Sequence, residues 1–181
     1  MTENQRLFVG ITPPPVIRAN LTGRMKGVTN ARWQNDAQLH LTLRFLGDMD
    51  LEARMMLERQ LAGIKAKPFS LRLEGAGQFT HGGRPHALFA GIGPSLGLAL
   101  LQEATERSAQ SAGLEPEARP YRPHITLARL NTSSGPTDHF ISSNGGLSSA
   151  PFRVTQFTLY ESRLTPEGSI YKPLRHFPLR G

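Results

Sequence analysis

The chain has 181 residues, which is long enough to bury a hydrophobic core without disulfides or a structural metal. It contains no cysteine, so disulfide scaffolds, thiol nucleophiles and cysteine-ligated zinc sites are excluded. Lys and Arg (21) outnumber Asp and Glu (14), and the net charge of +7 favours an anionic partner such as nucleic acid, although a generally basic surface would carry the same charge.

The N-terminal sequence MTENQR lacks the apolar core of a signal peptide. No apolar run approaches the ~18 residues that a membrane helix needs. We therefore expect a cytoplasmic protein without a membrane partner. No linker-like segment interrupts the pattern, so we also expect a single domain over residues 1–181, acting as a monomer.

The first part of the chain predicts a strand, a helix and a second strand. Arg6–Ile11 has the alternation of a short strand. Thr12 precedes three prolines and predicts the N-cap of a helix that ends near Met25. Asn30–Trp33 is expected to be extended and to lead into a strand over His40–Leu46.

A turn and an amphipathic helix are predicted to follow. Gly47–Asp50 has the composition of a turn, and either of its aspartates is suited to cap the next helix. That helix is predicted over Leu51–Ile64. Leu51, Met55 and Ile64 are expected to form its buried stripe.

The middle of the chain predicts a hairpin and a second helix. Residues 69–74 alternate as a half-buried strand, and Ala87–Ile92 forms the next strand after a Gly-Gly turn. A helix is predicted from about Ser95 to Ala112, because Gly113 is a typical C-terminal stop.

The last fifty residues predict a long loop and two strands. Asn131–Ala150 is rich in Ser, Gly and Asn and has no hydrophobic period. Such a loop is either a mobile lid over a bound ligand or a flexible insertion. Phe152–Tyr160 and Ile170–Leu179 then read as strands joined by a Pro-Glu-Gly turn.

Two nearly identical heptapeptides stand out, HLTLRFL from His40 and HITLARL 84 positions later from His124. Residues i and i+2 of a strand point to the same face, so His40 and Thr42 share one face, as do His124 and Thr126. The apolar residues between them face the other way, towards a core. If the two strands are neighbours, two imidazoles and two hydroxyls meet in one small volume.

These paired motifs resemble those of the 2H phosphoesterases. HLTLRFLGD and RPHITLAR resemble the RNA 2′,3′-cyclic phosphodiesterase branch, also called LigT-like or ThpR-like 2′-5′ RNA ligases. The likeness continues from the opening RLFVGI to the closing FTLYES and YKPL. It implies an α+β fold of two pseudo-symmetric lobes of antiparallel sheet with covering helices, facing each other across a central cleft.

The resemblance also implies an activity. RNA or a nucleotide ending in a 2′,3′-cyclic phosphate would be hydrolysed to a 2′-phosphomonoester, without a metal or other cofactor. His40 would be the proton donor to the leaving 3′ oxygen, and His124 the proton acceptor for the attacking water. Thr42, Thr126 and Arg129 would bind the phosphate. The motifs are nearly symmetric, so the residues alone leave the two histidine roles exchangeable.

Two arginines and three aromatic residues near the motifs are further candidates. Arg129 lies five positions after its histidine, an odd spacing that points it away from the polar face unless the strand bulges. Arg44 has the matching parity but lies far along its strand. Phe45, Trp33 and Tyr121 could stack on a base, and packing in the core is the alternative for each.

Other signals support rival interpretations. Ser95 lies in GPSLG, a G-x-S-x-G match that favours a serine hydrolase, whereas its position also suits a helix N-cap. His81, His86, His139 and His176 lie outside the motifs and lack metal-ligand spacing, which favours surface or hydrogen-bonded roles. A protein that binds RNA ends without turnover, or a 2′-5′ RNA ligase, would carry the same paired motifs.

Overall fold

The computed structural model describes residues 3–181, and most of its strands belong to one antiparallel sheet. Four α-helices and one short 3-10 helix (Asp36–Gln38) lie between the strands. The elements in chain order are β1 (Gln5–Ile11), α1 (Pro15–Thr22), β2 (Arg32–Trp33), β3 (Leu41–Met49), α2 (Leu51–Ala62), β4 (Phe69–Leu71), β5 (Leu73–His81), β6 (Arg84–Ile92), α3 (Leu96–Ser111), β7 (His124–Arg129), α4 (Asp138–Ser143), β8 (Phe152–Val154), β9 (Gln156–Thr165) and β10 (Gly168–Pro178).

The eight-stranded sheet has the order β10-β9-β1-β3-β7-β6-β5, and β2 pairs with β7 beside β3. β4 and β8 form a separate two-stranded sheet. Helices α2 and α3 pack against each other, and α3 also contacts β3 and β4. Within residues 3–181, none of the helices is both long and apolar enough to cross a membrane.

The two motif strands are neighbours at the centre of the sheet. They pair through a single residue pair, Leu41 with Ile125, and both side chains are buried. On one side of this junction lie β3, β1, β9 and β10, the first lobe; on the other lie β7, β6 and β5, the second lobe. Each lobe therefore contributes one histidine motif at the junction.

Each motif strand contains a β-bulge three residues after its histidine. In β3, Arg44 pairs with Val9 and Thr42 with Gly10, which leaves Leu43 without a partner. In β7, Leu127 is the extra residue between two residues that pair with β6. A bulge inserts one residue into a strand and reverses the alternation beyond it.

The bulges change which side chains share the histidine face. Beyond each bulge two consecutive side chains are buried, Leu43 with Arg44 in β3 and Leu127 with Ala128 in β7. The residue five positions after each histidine is exposed and returns to the histidine face. That residue is Phe45 in the first lobe and Arg129 in the second, so the two occupy equivalent positions.

The predicted bounds of the first helix are wrong at both ends. The helix begins at Pro15, and the hydroxyl of Thr12 bonds to the hydroxyl of Tyr160 on β9 instead of capping it. It ends at Thr22 rather than near Met25, because Gly23 closes the last turn through its backbone N–H.

The second helix has the predicted position and cap but a different buried face. Asp50 accepts a hydrogen bond from a backbone N–H of its first turn. Leu57 and Leu61 are the buried residues, whereas Leu51 and Met55 are 51% and 48% exposed. The predicted stripe is therefore wrong for Leu51 and Met55, because the competing i, i+4 pair faces the core. Ile64 packs against the core as predicted, just beyond the end of the helix.

Two loop predictions are also wrong. β3 continues to Met49, so Gly47 lies within a strand rather than in a turn. The segment predicted as a loop over Asn131–Ala150 contains α4, and its residues Phe140 and Leu147 are buried in the core. The segment is therefore packed against the domain, contrary to the predicted loop without secondary structure.

Candidate active site

His40 is held in one tautomer by its neighbours. Its Nδ1 lies 2.7 Å from the carbonyl oxygen of Gln38, and since a carbonyl can only accept, Nδ1 carries the hydrogen. Its Nε2 lies 2.9 Å from the hydroxyl of Thr42, which then donates to it. Gln38 is fixed in turn by a reciprocal capping box with Asn35 and by a 2.8 Å bond from its side chain to the carbonyl of Ser169.

Aromatic rings enclose the His40 imidazole. Its centroid lies 4.7 Å from that of Phe8 and 5.0 Å from that of Tyr171. Burial lowers the pKa of His40 from 6.5 to about 4, the Gln38 carbonyl opposes this shift, and the charges of His124 and Arg129 add to it. The free protein therefore holds His40 neutral near pH 7.

His124 has the same kind of anchor, but it is less buried than His40 and lies near two arginines. Its Nδ1 lies 2.6 Å from the carbonyl oxygen of Arg122, and its ring meets the edges or faces of Phe79 at 4.7 Å and Phe89 at 5.6 Å. Burial lowers the pKa of His124, the Arg122 carbonyl opposes this shift, and the positive charges of Arg129 and Arg122 add to it. Its Nε2 is the nitrogen left for proton transfer.

Stacked aromatic pairs support both imidazoles from the strands beyond. In the first lobe Phe8 stacks on Tyr160 with centroids 5.0 Å apart, and in the second Phe89 stacks on Phe79 at 4.5 Å. Gly77 makes the second stack possible, since a Cβ there would lie 2.6 Å from the Phe89 ring. The two lobes thus repeat more than the seven motif residues.

The structure brings most of the predicted site residues together. β3 and β7 pair through Leu41 and Ile125, and the antiparallel register around that pair sets His40 opposite Thr126 and Thr42 opposite His124. Within the first motif, Thr42 bonds to His40. The charge of Arg129 acts on both histidines, and that of His124 acts on His40. Thr126 lies two residues after its histidine, on the same face of β7.

The bulges decide the two arginine predictions. Arg129 lies on the polar face, because the bulge in β7 offsets its odd spacing. Arg44 is turned into the interior, where it binds a carboxylate oxygen of Glu106 at 2.5 Å and the carbonyls of Phe45 and Glu115 at 2.6 Å each. The matching parity expected for Arg44 is wrong, and its role is structural.

The three aromatic candidates separate in the same way. Trp33 packs on Phe140 with centroids 5.6 Å apart, on the core side of β2. The hydroxyl of Tyr121 donates to the backbone carbonyl of Thr42 at 2.7 Å, and burial raises the pKa of this phenol. Only Phe45 of the three is exposed, at 57%, on the face that carries the histidine.

Of two supporting residues, Gln38 was missed by the sequence analysis and Tyr121 was expected in a different role. Gln38 orients His40, and its spacing from Asn35 is that of a capping box, a signal the sequence does contain. Tyr121 ties the segment that leads into the second motif to the first motif, and its sequence context gave no sign of this long-range bond.

The serine-hydrolase interpretation loses its support. The Ser95 hydroxyl accepts a hydrogen bond from the backbone N–H of Leu98 at 3.1 Å and caps α3, as the helix-cap interpretation predicts. Nδ1 of His176 lies 2.8 Å from the hydroxyl of Thr158, so this histidine has the hydrogen-bonded role that the sequence favours.

Comparison with known proteins gives a consistent set of matches. A model described as the 2′-5′ RNA ligase superfamily matches residues 13–165. An RNA 2′,3′-cyclic phosphodiesterase of Escherichia coli K12 is 32% identical over 191 aligned positions, covering 99% of both chains.

Solved structures match over the same length. The E. coli LigT structure in apo form superimposes with a TM-score of 0.81 at 31% identity, covering 99% of each chain. The E. coli LigT structure complexed with 3′-AMP gives a TM-score of 0.80 at 29% identity. These matches confirm the two-lobed α+β fold predicted from the sequence.

Proposed function

Because the chain belongs to the 2′-5′ RNA ligase superfamily, we propose that it is an RNA 2′,3′-cyclic phosphodiesterase. It hydrolyses a terminal 2′,3′-cyclic phosphate to a 2′-phosphomonoester. One observation carries the proposal: two imidazoles from distant parts of the chain, His40 and His124, have their Nδ1 atoms anchored and share one polar face beside Arg129. The curated relative of E. coli and the LigT complex with 3′-AMP support the same substrate class.

The anchored tautomers specify the atoms that move protons. As water attacks phosphorus, His124 takes a proton from it through Nε2. The bond between phosphorus and the 3′ oxygen breaks, and His40 gives a proton from its Nε2 to that oxygen. The products are a 2′-phosphomonoester and a free 3′-hydroxyl, and the two histidines have exchanged protonation states. Such acid and base assistance contributes typically about 10²–10⁴-fold per group.

Neutral and charged donors stabilise the phosphate without a metal in this proposal. Thr42 and Thr126 donate hydroxyl hydrogens to the non-bridging oxygens. Arg129 adds a permanent charge in a planar, bidentate geometry. The Thr42 hydroxyl, bonded to His40 Nε2 in the free protein, turns to the phosphate when Nε2 becomes protonated.

The free-protein pKa values put a condition on these roles. Since the pKa of His40 is lowered to about 4, His40 acts as the proton donor only if the bound phosphate raises that pKa. An opposite charge at hydrogen-bond distance favours the protonated form and supplies a shift of this sign. Substrate binding thus favours the protonated form of His40 that the reaction needs. The exposed ring of Phe45 offers a stacking surface for the nucleoside.

The direct test is incubation with an oligonucleotide that ends in a 2′,3′-cyclic phosphate, followed by identification of the phosphate position in the product. The wild type should give the 2′-phosphate with or without a chelator. His40→Ala and His124→Ala should each lose at least about 10²-fold in turnover. His176→Ala is the matched control and should be unaffected, since its ring bonds only to polar groups on β9. Retained activity in either motif variant would refute the proposal.

The same experiment separates the two alternatives. With an added RNA that carries a 5′-hydroxyl, a ligase would join the ends through a 2′-5′ linkage by running these steps backwards. A non-catalytic binding protein would leave the cyclic phosphate intact for hours.

We further propose that the chain acts as a single-domain monomer in the cytoplasm, where a protein without cysteine needs no oxidising environment.

A further inference from the structure

A second arginine lies beside Arg129 on the neighbouring strand. Arg32 on β2 is its direct antiparallel partner, and directly opposite residues project to the same face. The adjacent pair, Trp33 with Ala128, faces the core: Ala128 is fully buried and Trp33 packs on Phe140. Arg32 therefore lies on the polar face, with Arg129 and the motif histidines.

This pair of arginines is unfavourable in the free protein. Like charges directly opposite each other destabilise a sheet. Eight of the other fifteen arginines form ion pairs with a carboxylate within residues 3–181. Within residues 3–181, no carboxylate oxygen lies within 4.0 Å of a side-chain nitrogen of Arg32 or Arg129. Anions bound by the two guanidinium groups would offset this repulsion.

The Arg32 side chain reaches from β2 towards the first lobe. β2 occupies the same edge of β7 as β3 does. A terminal nitrogen of Arg32 lies 3.5 Å from the point that a Cβ on Gly168 would occupy, at the β9–β10 turn. The side-chain nitrogen of Gln38 lies 3.6 Å from the same point. The guanidinium thus spans from the second lobe to the first, next to the residue that orients His40.

We infer that Arg32 binds a second phosphate of the RNA, the internucleotide phosphodiester adjacent to the terminal cyclic phosphate. The inference rests on the proposed function and names the form of substrate that the site prefers. A cyclic phosphate carries one negative charge, which the guanidinium of Arg129 matches. The next phosphodiester carries another, and Arg32, opposite Arg129 on the same face and without an ion pair within residues 3–181, is placed to bind it. An oligonucleotide is then bound more tightly than a mononucleotide 2′,3′-cyclic phosphate.

The test compares wild type with Arg32→Gln on two substrates, a mononucleotide 2′,3′-cyclic phosphate and a trinucleotide with the same end. KM for the trinucleotide should rise roughly tenfold, the low end for a hydrogen-bonded charge at an exposed position. The slope of log KM for the trinucleotide against log salt should fall by about 0.7, the value for one contact to single-stranded nucleic acid. KM for the mononucleotide should be unchanged. Arg153→Gln, an exposed arginine on β8, is the matched control.

Two results would overturn the inference. An equal loss on both substrates would place Arg32 at the cyclic phosphate, and no loss on either would leave it without a binding role. A second measurement is independent of turnover: fluorescence anisotropy with a trinucleotide that already ends in a 2′-phosphate. Weaker binding by Arg32→Gln there supports the second phosphate site even if the wild type fails to hydrolyse cyclic phosphates, a result that would refute the proposed function alone.

Discussion

The two half-sites share a backbone and differ in chemistry. Each has a histidine whose Nδ1 is anchored to the carbonyl two residues earlier, and each strand bulges at the leucine that follows the threonine. In the first lobe, Phe8 and Tyr171 enclose His40, and the residue on its face beyond the bulge is Phe45. In the second lobe, the corresponding residue is Arg129.

The difference shows how a repeated geometry acquires a direction. The repeated backbone supplies two equivalent proton-transfer groups on one face. The residues outside the repeat make one side apolar and the other cationic, with Arg122 lying 5.0 Å over the Phe79 ring next to His124. On this account the phosphate charge is held mainly from the second lobe, and the nucleoside rests on the first.

The largest effect is expected from removing the charge that distinguishes the second half-site. Arg129→Gln should lower kcat/KM by about 10²–10³-fold, since one donor to the developing charge is lost. Its Tm should be no lower than that of the wild type, because the side chain is exposed, has no ion pair within residues 3–181 and lies opposite the like charge of Arg32. Steady-state kinetics and thermal unfolding, with Arg153→Gln beside it, make the check; kcat/KM within threefold of wild type would contradict the asymmetry.

The arginine of the first motif should show the opposite pattern. Arg44→Met should lower the free energy of unfolding by about 3 kcal/mol, because it leaves Glu106 partly buried without its partner. KM of the folded fraction should stay the same. Urea unfolding measures the loss, and the double variant with Glu106→Gln should recover part of it. A raised KM without a loss of stability would place Arg44 in the binding site after all.

The pH dependence sharpens the comparison of the two histidines. Catalysis needs one protonated and one neutral imidazole, and burial holds the pKa of His40 at about 4 and that of His124 below 6.5. Above pH 6.5 the doubly neutral pair dominates, so kcat/KM should fall by up to tenfold per pH unit. The optimum of kcat should lie at higher pH than that of kcat/KM, because bound phosphate raises both pKa values. A kcat/KM that rises up to pH 8 would disagree.

The smallest effect is expected at the bond that ties the half-sites together. The Tyr121 hydroxyl bonds to the Thr42 carbonyl and supplements the single backbone pair between the motif strands. Tyr121→Phe keeps the ring and removes the bond, so we expect a loss of about 1 kcal/mol in unfolding free energy and a few-fold drop in kcat at constant KM. Chemical unfolding and kinetics measure both. Unchanged values would mean that the hydroxyl does not hold the register.

The sequence predicts the histidine faces because alternation is a local property. His40 and Thr42 share a face in the structure as the period of two requires. The bulges cannot be predicted from the sequence in the same way, because an extra leucine in an apolar pattern is recognised only from its pairing with the neighbouring strand. For this reason the expected orientation of Arg44 was wrong, and the same feature resolves the spacing of Arg129.

Tertiary packing explains the other differences. The second helix carries two apolar pairs at helical spacing, Leu51 with Met55 and Leu57 with Leu61, and only its contacts with α3 and the sheet decide between them. The Ser- and Gly-rich segment after the second motif folds because Phe140 reaches the core beside Trp33. Composition alone gave neither result.

The most direct test of the acid–base pair uses a cyclic phosphate whose 3′ bridging oxygen is replaced by sulfur. A thiol has a pKa near 8.5, far below that of a ribose hydroxyl, so sulfur leaves as a thiolate without help from a general acid. His40→Ala should therefore turn over the sulfur substrate at close to the wild-type rate while remaining inactive on the oxygen substrate, and His124→Ala should be inactive on both. Rescue of His124→Ala instead, or of neither variant, would contradict the account.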